Sequence, residues 1–401
     1  MLYATTQESL FPPRPLALNP TLVHKDSMKP QSTSSFSPDA RFLLGISQLS
    51  LSLASEVTET VSDMHGAIHR STPLGLLPER TSISRRVYAL LAKCFTGPAH
   101  LLGRAGRNVS HREVDTMTLN VQAAINGVFG DLLLSQDNPL AFSMSMHGDT
   151  PKADQPLMLF VHGLCLHDRS WLKPAHLAFA ETLRQQGFCV SYLRYNSGLP
   201  IAENGRLLAN MLETTDASRI VLMGHSMGGL ISRSALHQAT ELDFRWVSKL
   251  SHLATLGSPH HGAEAERIGN YSNRLLNVSR WSAPLTRLGN LRSAAIHDLR
   301  FGSLLNCDRD RAGHVFHTHD PREPIPIPEN VAHYFVGATR SKDNTEKKLR
   351  SDLLVTPNSA LAEDYPDTDS VMRELLYGMD HLQLMWDPDV YARLGRWLGL
   401  K

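Results

Sequence analysis

One segment constrains the fold of this 401-residue chain more than any other. The apolar run Ile220–Met223 leads into Gly224-His-Ser226-Met-Gly228-Gly, and a helical pattern from Leu230 to Thr240 follows at once. A strand, a tight turn and a helix in this order are the context of a nucleophile elbow, in which a serine hydroxyl stands clear of the end of a sheet. Gly224 and Gly228 flank Ser226 where a Cβ would collide with the crowded turn. The segment therefore predicts Ser226 as a nucleophile.

The chain beyond residue 140 repeats this alternation of apolar runs and helices. Helical patterns cover residues 175–186 and 203–214, between short runs that have the length of buried strands. The predicted strands are Leu157–Val161, Cys189–Leu193, Ile220–Met223, Leu253–Leu256 and Tyr334–Val336, preceded by an alternating strand through Phe142, Met144 and Met146. Such an order predicts an α/β fold in which helices cover both faces of a mostly parallel sheet.

A serine hydroxyl is a weak nucleophile, so a base and an orienting acid are required. They should follow in the order serine, acid, histidine. His381, in a loop before the last helical segment, is the predicted base, whereas His333 lies within a strand and is expected to be structural. Asp352 is the predicted acid because the apolar run after it could hold the carboxylate buried, and Asp343 is the next candidate. Four further acids qualify by order alone: Glu363, Asp364, Asp367 and Asp369.

The first predicted strand of the parallel sheet runs directly into His162-Gly163-Leu164. Gly163 would let the backbone approach a substrate closely, and the Leu164 N–H would join the N–H of Met227 in an oxyanion hole. His162, Gly163 and His225 are the predicted substrate-binding residues.

These motifs together resemble those of a known superfamily. They are Phe160-Val-His162-Gly163, Gly224-His-Ser226-Met-Gly228-Gly, Thr255-Leu-Gly-Ser258-Pro259-His-His-Gly262, Ser351-Asp352-Leu-Leu-Val and Asp380-His381-Leu. The combination resembles the bacterial lipase and esterase branch of the α/β-hydrolase superfamily, and also the lipase-like domain of inositol deacylases. Many members carry Gly rather than Leu after the acid, so Leu353 departs from the pattern.

The resemblance covers residues 140–401 and implies an α/β-hydrolase fold with a helical cap, here at 263–328. It also implies acyl transfer, in which Ser226 attacks an ester carbonyl and His381 takes the proton. The expected substrate is a small-molecule ester or a lipid, and neither a cofactor nor a metal is expected. One rival feature is the run Gly313-His314-Val-Phe-His317-Thr-His319-Asp320, which has the ligand density of a metal site. Because a second ligand cluster is lacking, we interpret it as a polar loop.

The first 130 residues lie outside this resemblance. Residues 1–37 are rich in Pro, Ser and Thr and predict a mobile arm. Residues 38–130 predict a helical extension of three helices. The first starts with Ser37 as its cap, Pro38 at its first position and Asp39 in its first turn; the second lies around residues 87–95, and the third stops near Asn126-Gly127. Its apolar faces could dock on the core or bind a membrane or partner. The alternative function is therefore a binding or scaffold protein that uses these helices.

Charge, apolar runs and cysteine content limit what the protein is expected to bind and where it is expected to occur. The formal net charge of +1 excludes binding of nucleic acid or an anionic membrane by bulk charge. The sequence has no run of about 18 apolar residues, so no transmembrane span is predicted. Four cysteines without a CxxC pair favour reduced thiols. We therefore expect a cytoplasmic protein, with peripheral membrane contact and oligomeric state left open.

Overall fold

A computed structural model of the chain describes residues 39–71, 89, 93, 96–105, 115–263, 293–308, 325–326, 328–346 and 349–400, with side chains in the first range up to residue 55. The predicted mobile arm, most of the second predicted helix, the histidine run at 314–319 and most of the predicted cap lie outside the described residues.

The described residues form a seven-stranded sheet in the order β1-β3-β2-β4-β5-β6-β7. Its strands are β1 Ser145–Gly148, β2 Pro156–Val161, β3 Cys189–Arg194, β4 Arg219–His225, β5 Leu250–Leu256, β6 Ala332–Thr339 and β7 Val371–Tyr377. Only the pair β1 and β3 is antiparallel, so β2 to β7 all end at one edge. In open parallel sheets this carboxyl edge is where ligands bind.

Helices cover both faces of the sheet, as predicted. They are α1 Ala40–Ser71, α2 Thr116–Ser135, α3 Pro174–Gln185, α4 Ile201–Glu213, α5 Met227–Glu241, α6 Ala294–Phe301, α7 Pro357–Ala360 and α8 Pro388–Trp397. Successive residues of β2 enter different cores: Leu157, Leu159 and Val161 pack with α1, α2, α4 and α5, whereas Met158 and Phe160 pack with α3 and α8. A strand buried on both faces is apolar at every position, which is why β2 reads as a continuous apolar run.

The edge strands are the least predictable. The alternating pattern that begins at Phe142 forms a strand only from Ser145, and β7 was not predicted at all. The sequence of β7, VMRELLY, is half-exposed along most of its length. Because an edge strand meets solvent on one side, its sequence lacks the unbroken apolar run of the central strands.

The N-terminal helices differ from the prediction at two places. Helix α1 begins at Ala40, and the carboxylate of Asp39 accepts a hydrogen bond from the Phe42 N–H at 2.8 Å. Asp39 therefore caps the helix, instead of lying in its first turn. Helix α2 passes through Asn126-Gly127, has a kink at Phe129 (φ −127°, ψ 20°) and continues beyond the kink to Ser135. The reason is that Asn126 Nδ2 donates to carbonyl groups inside the fold, while Gly127 packs against a neighbouring loop.

Helix α1 docks on the core in its described part. Phe42, Leu49 and Leu53 are almost completely buried and share one apolar cluster with Val121 and Ile125 of α2. The apolar face of α1 is thus covered by protein up to residue 55. No helix among the described residues has both the length and the hydropathy needed to cross a bilayer.

Candidate active site

Ser226 occupies a sharp turn between strand β4 and helix α5. Its backbone has φ 54° and ψ −125°, and its side chain is almost completely buried. The turn is held by the Ser226 N–H, which donates to the Leu256 carbonyl at 2.8 Å, and by the Ser258 hydroxyl, which donates to the Ser226 carbonyl at 2.7 Å. A non-glycine residue at such a φ costs about 1–3 kcal/mol, and strain of this kind is concentrated at functional sites.

The glycines around Ser226 are required by close backbone approach. A Cβ on Gly224 would lie 2.3 Å from the Gly229 nitrogen, and a Cβ on Gly228 would lie 2.2 Å from the Val161 carbonyl oxygen. Real Cβ atoms do not approach backbone atoms so closely. The two glycines therefore let helix α5 start directly against the end of strand β2.

Asp352 and His381 meet at the same edge of the sheet. His381 Nδ1 donates to Asp352 Oδ2 at 2.7 Å, and the His381 backbone N–H donates to the Asp352 carbonyl at 2.9 Å. The other carboxylate oxygen, Oδ1, accepts the N–H groups of Leu354 at 2.9 Å and Val355 at 2.7 Å. Asp352 is fully buried, so these three donors replace water around its charge.

Leu353 has a left-handed backbone, with φ 96°, and its side chain is 45% exposed. Only glycine adopts this region without steric cost. Leu353, the residue at which this chain departs from the expected Gly, therefore has a strained backbone.

The other candidate acids lie elsewhere. Asp343 is in an exposed turn, where its carboxylate accepts hydrogen bonds from Thr345 that lower the pKa of Asp343. Asp364 pairs with His261 at 3.1 Å, and Asp367 pairs with an arginine. Among these acids the structure brings Asp352 to His381 through a hydrogen bond.

The loop after β2 lies against the Ser226 turn. A Cβ on Gly163 would lie 3.0 Å from Ser226 Cβ, so the loop and the turn are in direct contact. Leu164 follows in the loop, and Met227 is the first residue of α5, where a backbone N–H has no partner within its helix. None of the described groups accepts a hydrogen bond from the Leu164 or Met227 N–H.

The rings of His162 and His225 lie inside the protein. His162 Nδ1 donates to the Gly163 carbonyl at 2.9 Å, and burial lowers the pKa of His162 to about 4. His225 Nε2 donates to the His381 carbonyl at 2.9 Å, and burial lowers the pKa of His225 well below its usual range. Both rings are therefore neutral, and both bind the backbone of loops at the site. Of the three predicted substrate-binding residues, Gly163 lies against the Ser226 side chain.

Three further residues of the site were not predicted. Ser258 supports the Ser226 turn, and its segment Gly257-Ser258-Pro259 is the sequence signal that could have identified it. The Tyr195 hydroxyl donates to the His162 carbonyl at 2.5 Å, and Asn120 accepts from His167 at 2.8 Å. Neither Tyr195 nor Asn120 belongs to a recognisable motif. Within the described residues, no group of three or more His, Cys, Asp or Glu side chains could hold a metal ion.

Comparison with protein families gives a match to part of the chain. Residues 201–309, which include the Ser226 turn, match the family model of the PGAP1-like alpha/beta domain. The sheet order, with one antiparallel edge strand and a serine turn after β4, agrees with this match. The sheet and the serine turn have the arrangement of an α/β-hydrolase fold. The expected α/β-hydrolase fold is thus confirmed.

Solved structures with a similar fold include several bacterial enzymes. The mature lipase BlEst2 of Bacillus licheniformis is 18% identical, with 65% of this chain and 98% of that chain covered and a TM-score of 0.41. Carboxylesterase CesB of Bacillus subtilis is 9% identical, with 71% and 97% covered and a TM-score of 0.39. Naproxen esterase of Bacillus subtilis is 12% identical, with 72% and 100% covered and a TM-score of 0.34. The search of curated proteins gave no match to this chain.

Proposed function

We propose that this α/β hydrolase is a serine hydrolase that cleaves carboxylic esters through Ser226, His381 and Asp352. The observation that carries the proposal is the 2.7 Å hydrogen bond between buried Asp352 and His381, beside a strained serine turn. The base and the nucleophile are close in space: Leu256 accepts the Ser226 N–H, and a Cβ on the next residue, Gly257, would lie 3.2 Å from the His381 ring.

The residues have complementary roles in this proposal. Ser226 Oγ attacks the ester carbonyl carbon, and its proton moves to His381 Nε2. Asp352 holds the Nδ1–H tautomer and stabilises the imidazolium. The oxyanion accepts hydrogen bonds from the N–H groups of Leu164 and Met227. The tetrahedral intermediate then expels the alcohol, which takes its proton from His381.

Hydrolysis of the acyl-enzyme repeats the same steps with water. His381 takes a proton from the water as its oxygen attacks the acyl carbonyl, and collapse of the second intermediate returns the proton to Ser226 and releases the carboxylic acid. All the groups required are side chains and backbone N–H groups of this chain. The proposed substrate is accordingly a small-molecule ester or a lipid, and the cycle uses no cofactor.

The alternative function, a scaffold that binds a membrane or partner through its N-terminal helices, is not favoured by the packing of α1. The apolar residues Phe42, Leu49 and Leu53 are buried against the core in the described part of that helix. We therefore do not put it forward as the principal function.

The proposal is tested by turnover of p-nitrophenyl esters and by labelling with a fluorophosphonate. The wild-type protein should hydrolyse the ester and label, whereas Ser226→Ala should lose both. Ser234→Ala is the matched control, because Ser234 is a buried serine of the same helix whose hydroxyl donates to the Leu304 carbonyl. A folded wild-type protein that neither labels nor hydrolyses esters of short and long acyl chains would refute the proposal.

A further inference from the structure

Helix α2, which lies outside the predicted catalytic domain, packs directly against the loops of the active-site edge. Its glycines make this contact close. A Cβ on Gly127 would lie 2.3 Å from Cys165 Sγ and 2.9 Å from the Cys165 Cα, and a Cβ on Gly130 would lie 2.8 Å from the Gly198 Cα. Cys165 belongs to the loop after β2, and Gly198 belongs to the loop after β3. The α2 backbone therefore touches two of the loops that border the site.

Hydrogen bonds join α2 to the same loop after β2. Cys165 Sγ donates to the Ala124 carbonyl at 3.7 Å, and His167 Nε2 donates to Asn120 Oδ1 at 2.8 Å. Asn120, Ala124 and Gly127 are spaced by four and three residues, so they lie on one face of the helix. That face contacts the loop from Cys165 to His167.

The conformation of this loop depends on its surroundings. Cys165 has φ 60°, a left-handed backbone that costs a non-glycine residue about 1–2 kcal/mol. Such a residue persists only where neighbouring groups hold it. Two interactions besides α2 contribute: the Cys165 N–H donates to the Ser197 hydroxyl at 3.0 Å, and His167 caps the short helical turn Asp168–Trp171. Leu164, the proposed oxyanion donor, immediately precedes Cys165.

We propose that α2 is a positioning element for the oxyanion hole, so that the N-terminal extension is needed for turnover as well as for stability. Gly127 and Asn120 are its positioning residues, because they set the place of Cys165 and His167 and hence the direction of the Leu164 N–H. This inference rests on the proposed hydrolase function. A helix that only docks on the fold would affect stability and leave the rate per folded molecule unchanged. A positioning helix, in contrast, affects that rate as well.

The expected effect is on kcat. Loss of one oxyanion donor lowers kcat by about 10²–10³-fold, and a displaced donor should cost part of that. Because the donor acts on charge that develops in the transition state, KM should change little. We therefore expect Gly127→Ala to lower kcat by about tenfold or more with KM within about twofold of the wild-type value.

The chain supplies a matched control for this substitution. A Cβ on Gly45 of α1 would lie 2.4 Å from Leu140 Cγ, a similarly close approach within the extension but away from the catalytic loops. Gly45→Ala should lower the unfolding temperature and keep kcat within about twofold of the wild-type value. For each variant, the concentration of active enzyme is measured by fluorophosphonate titration run to completion.

A second variant keeps the test decisive if Gly127→Ala fails to fold. Asn120 is exposed, so Asn120→Ala removes the acceptor of His167 without leaving a cavity. Its kcat should fall severalfold, and Asn120→Asp, which retains an acceptor oxygen, should recover most of the loss. If Asn120→Ala and every folded Gly127 variant keep kcat within about twofold of wild type, the positioning role is refuted and the hydrolase function stands. If the wild-type protein does not turn over esters, the proposed function fails and this inference fails with it.

Discussion

Replacement of Asp352 by asparagine tests the acid of the proposed site most directly, because the structure determines how an amide must sit there. The Oδ1 position accepts the N–H groups of Leu354 and Val355, so it must be occupied by the amide oxygen. The NH₂ group then faces His381 Nδ1, which lies 2.7 Å from Oδ2 in the wild-type protein. A donor at that point requires His381 to be protonated at Nε2, where it cannot accept the Ser226 proton.

The expected loss in kcat is large. An orienting acid that is replaced by its amide, with the geometry kept and the tautomer reversed, lowers kcat by about 10⁴-fold, which corresponds to about 5.5 kcal/mol of transition-state stabilisation. Stability should change less, since the two backbone N–H groups keep their acceptor. The assay is steady-state hydrolysis of a p-nitrophenyl ester, with the folded state of each variant checked by circular dichroism.

Asp343→Asn is the matched control, because Asp343 was the next candidate acid and lies in an exposed turn. It should keep kcat and KM near the wild-type values. The assignment would be wrong if Asp352→Asn retained a tenth or more of wild-type kcat. A large loss in Asp343→Asn would show instead that the described geometry does not represent the active state.

Three further predictions concern stability. Leu353→Gly should leave the free energy of unfolding unchanged or raise it by up to about 1 kcal/mol in urea titrations, because relief of left-handed strain offsets the entropy of glycine; a loss above about 1 kcal/mol would contradict this. Gly228→Ala should lower it by about 1–3 kcal/mol and abolish ester turnover, since its Cβ would meet two backbone carbonyl groups; a folded, active variant would contradict this. The free energy of unfolding in urea should also fall as the pH is lowered from about 7 to 5, by up to about 1.4 kcal/mol per pH unit for each buried histidine. The reason is that burial lowers the pKa of four histidines in the folded state to about 3 or 4, so the unfolded state takes up protons that the folded state does not. A flat profile, or one that His176→Gln does not flatten, would refute the reasoning. These histidines are His162, His167, His176 and His333.

The sequence predicted the central strands and the positions of the proposed triad because both leave local signals. Strands β2 and β4 are buried on two faces and therefore read as unbroken apolar runs. Ser226 sits between glycines that the turn requires, and Asp352 precedes an apolar stretch that buries it. Strand β7 left no such signal, since most of its residues are at least partly exposed to solvent.

The orientation of the His162 and His225 rings could not be predicted from the sequence. We predicted both as substrate-binding residues from their places beside Gly163 and Ser226, and adjacency in sequence does not determine where a side chain points. Alternate residues of a strand face opposite sides of the sheet. His225 ends strand β4, and its ring packs 4.8 Å from the His381 ring, where it donates to the His381 backbone.

The predicted end of α2 at Asn126-Gly127 lies two residues before the kink at Phe129, and we placed it there because one residue pattern has two physical meanings. Asn-Gly is typical of a turn, since glycine adopts left-handed conformations at little cost. Here Gly127 remains helical, and its missing side chain makes room for Cys165, a residue distant in sequence. Only the tertiary partner distinguishes a glycine that ends a helix from one that lets a helix approach a loop. Gly198, in the loop after β3, lies close to both Asn126 and Gly130, so the contact with this loop extends to both sides of Gly127. The helical backbone from Asn126 to Gly130 therefore joins the N-terminal extension to two loops that border the proposed active site.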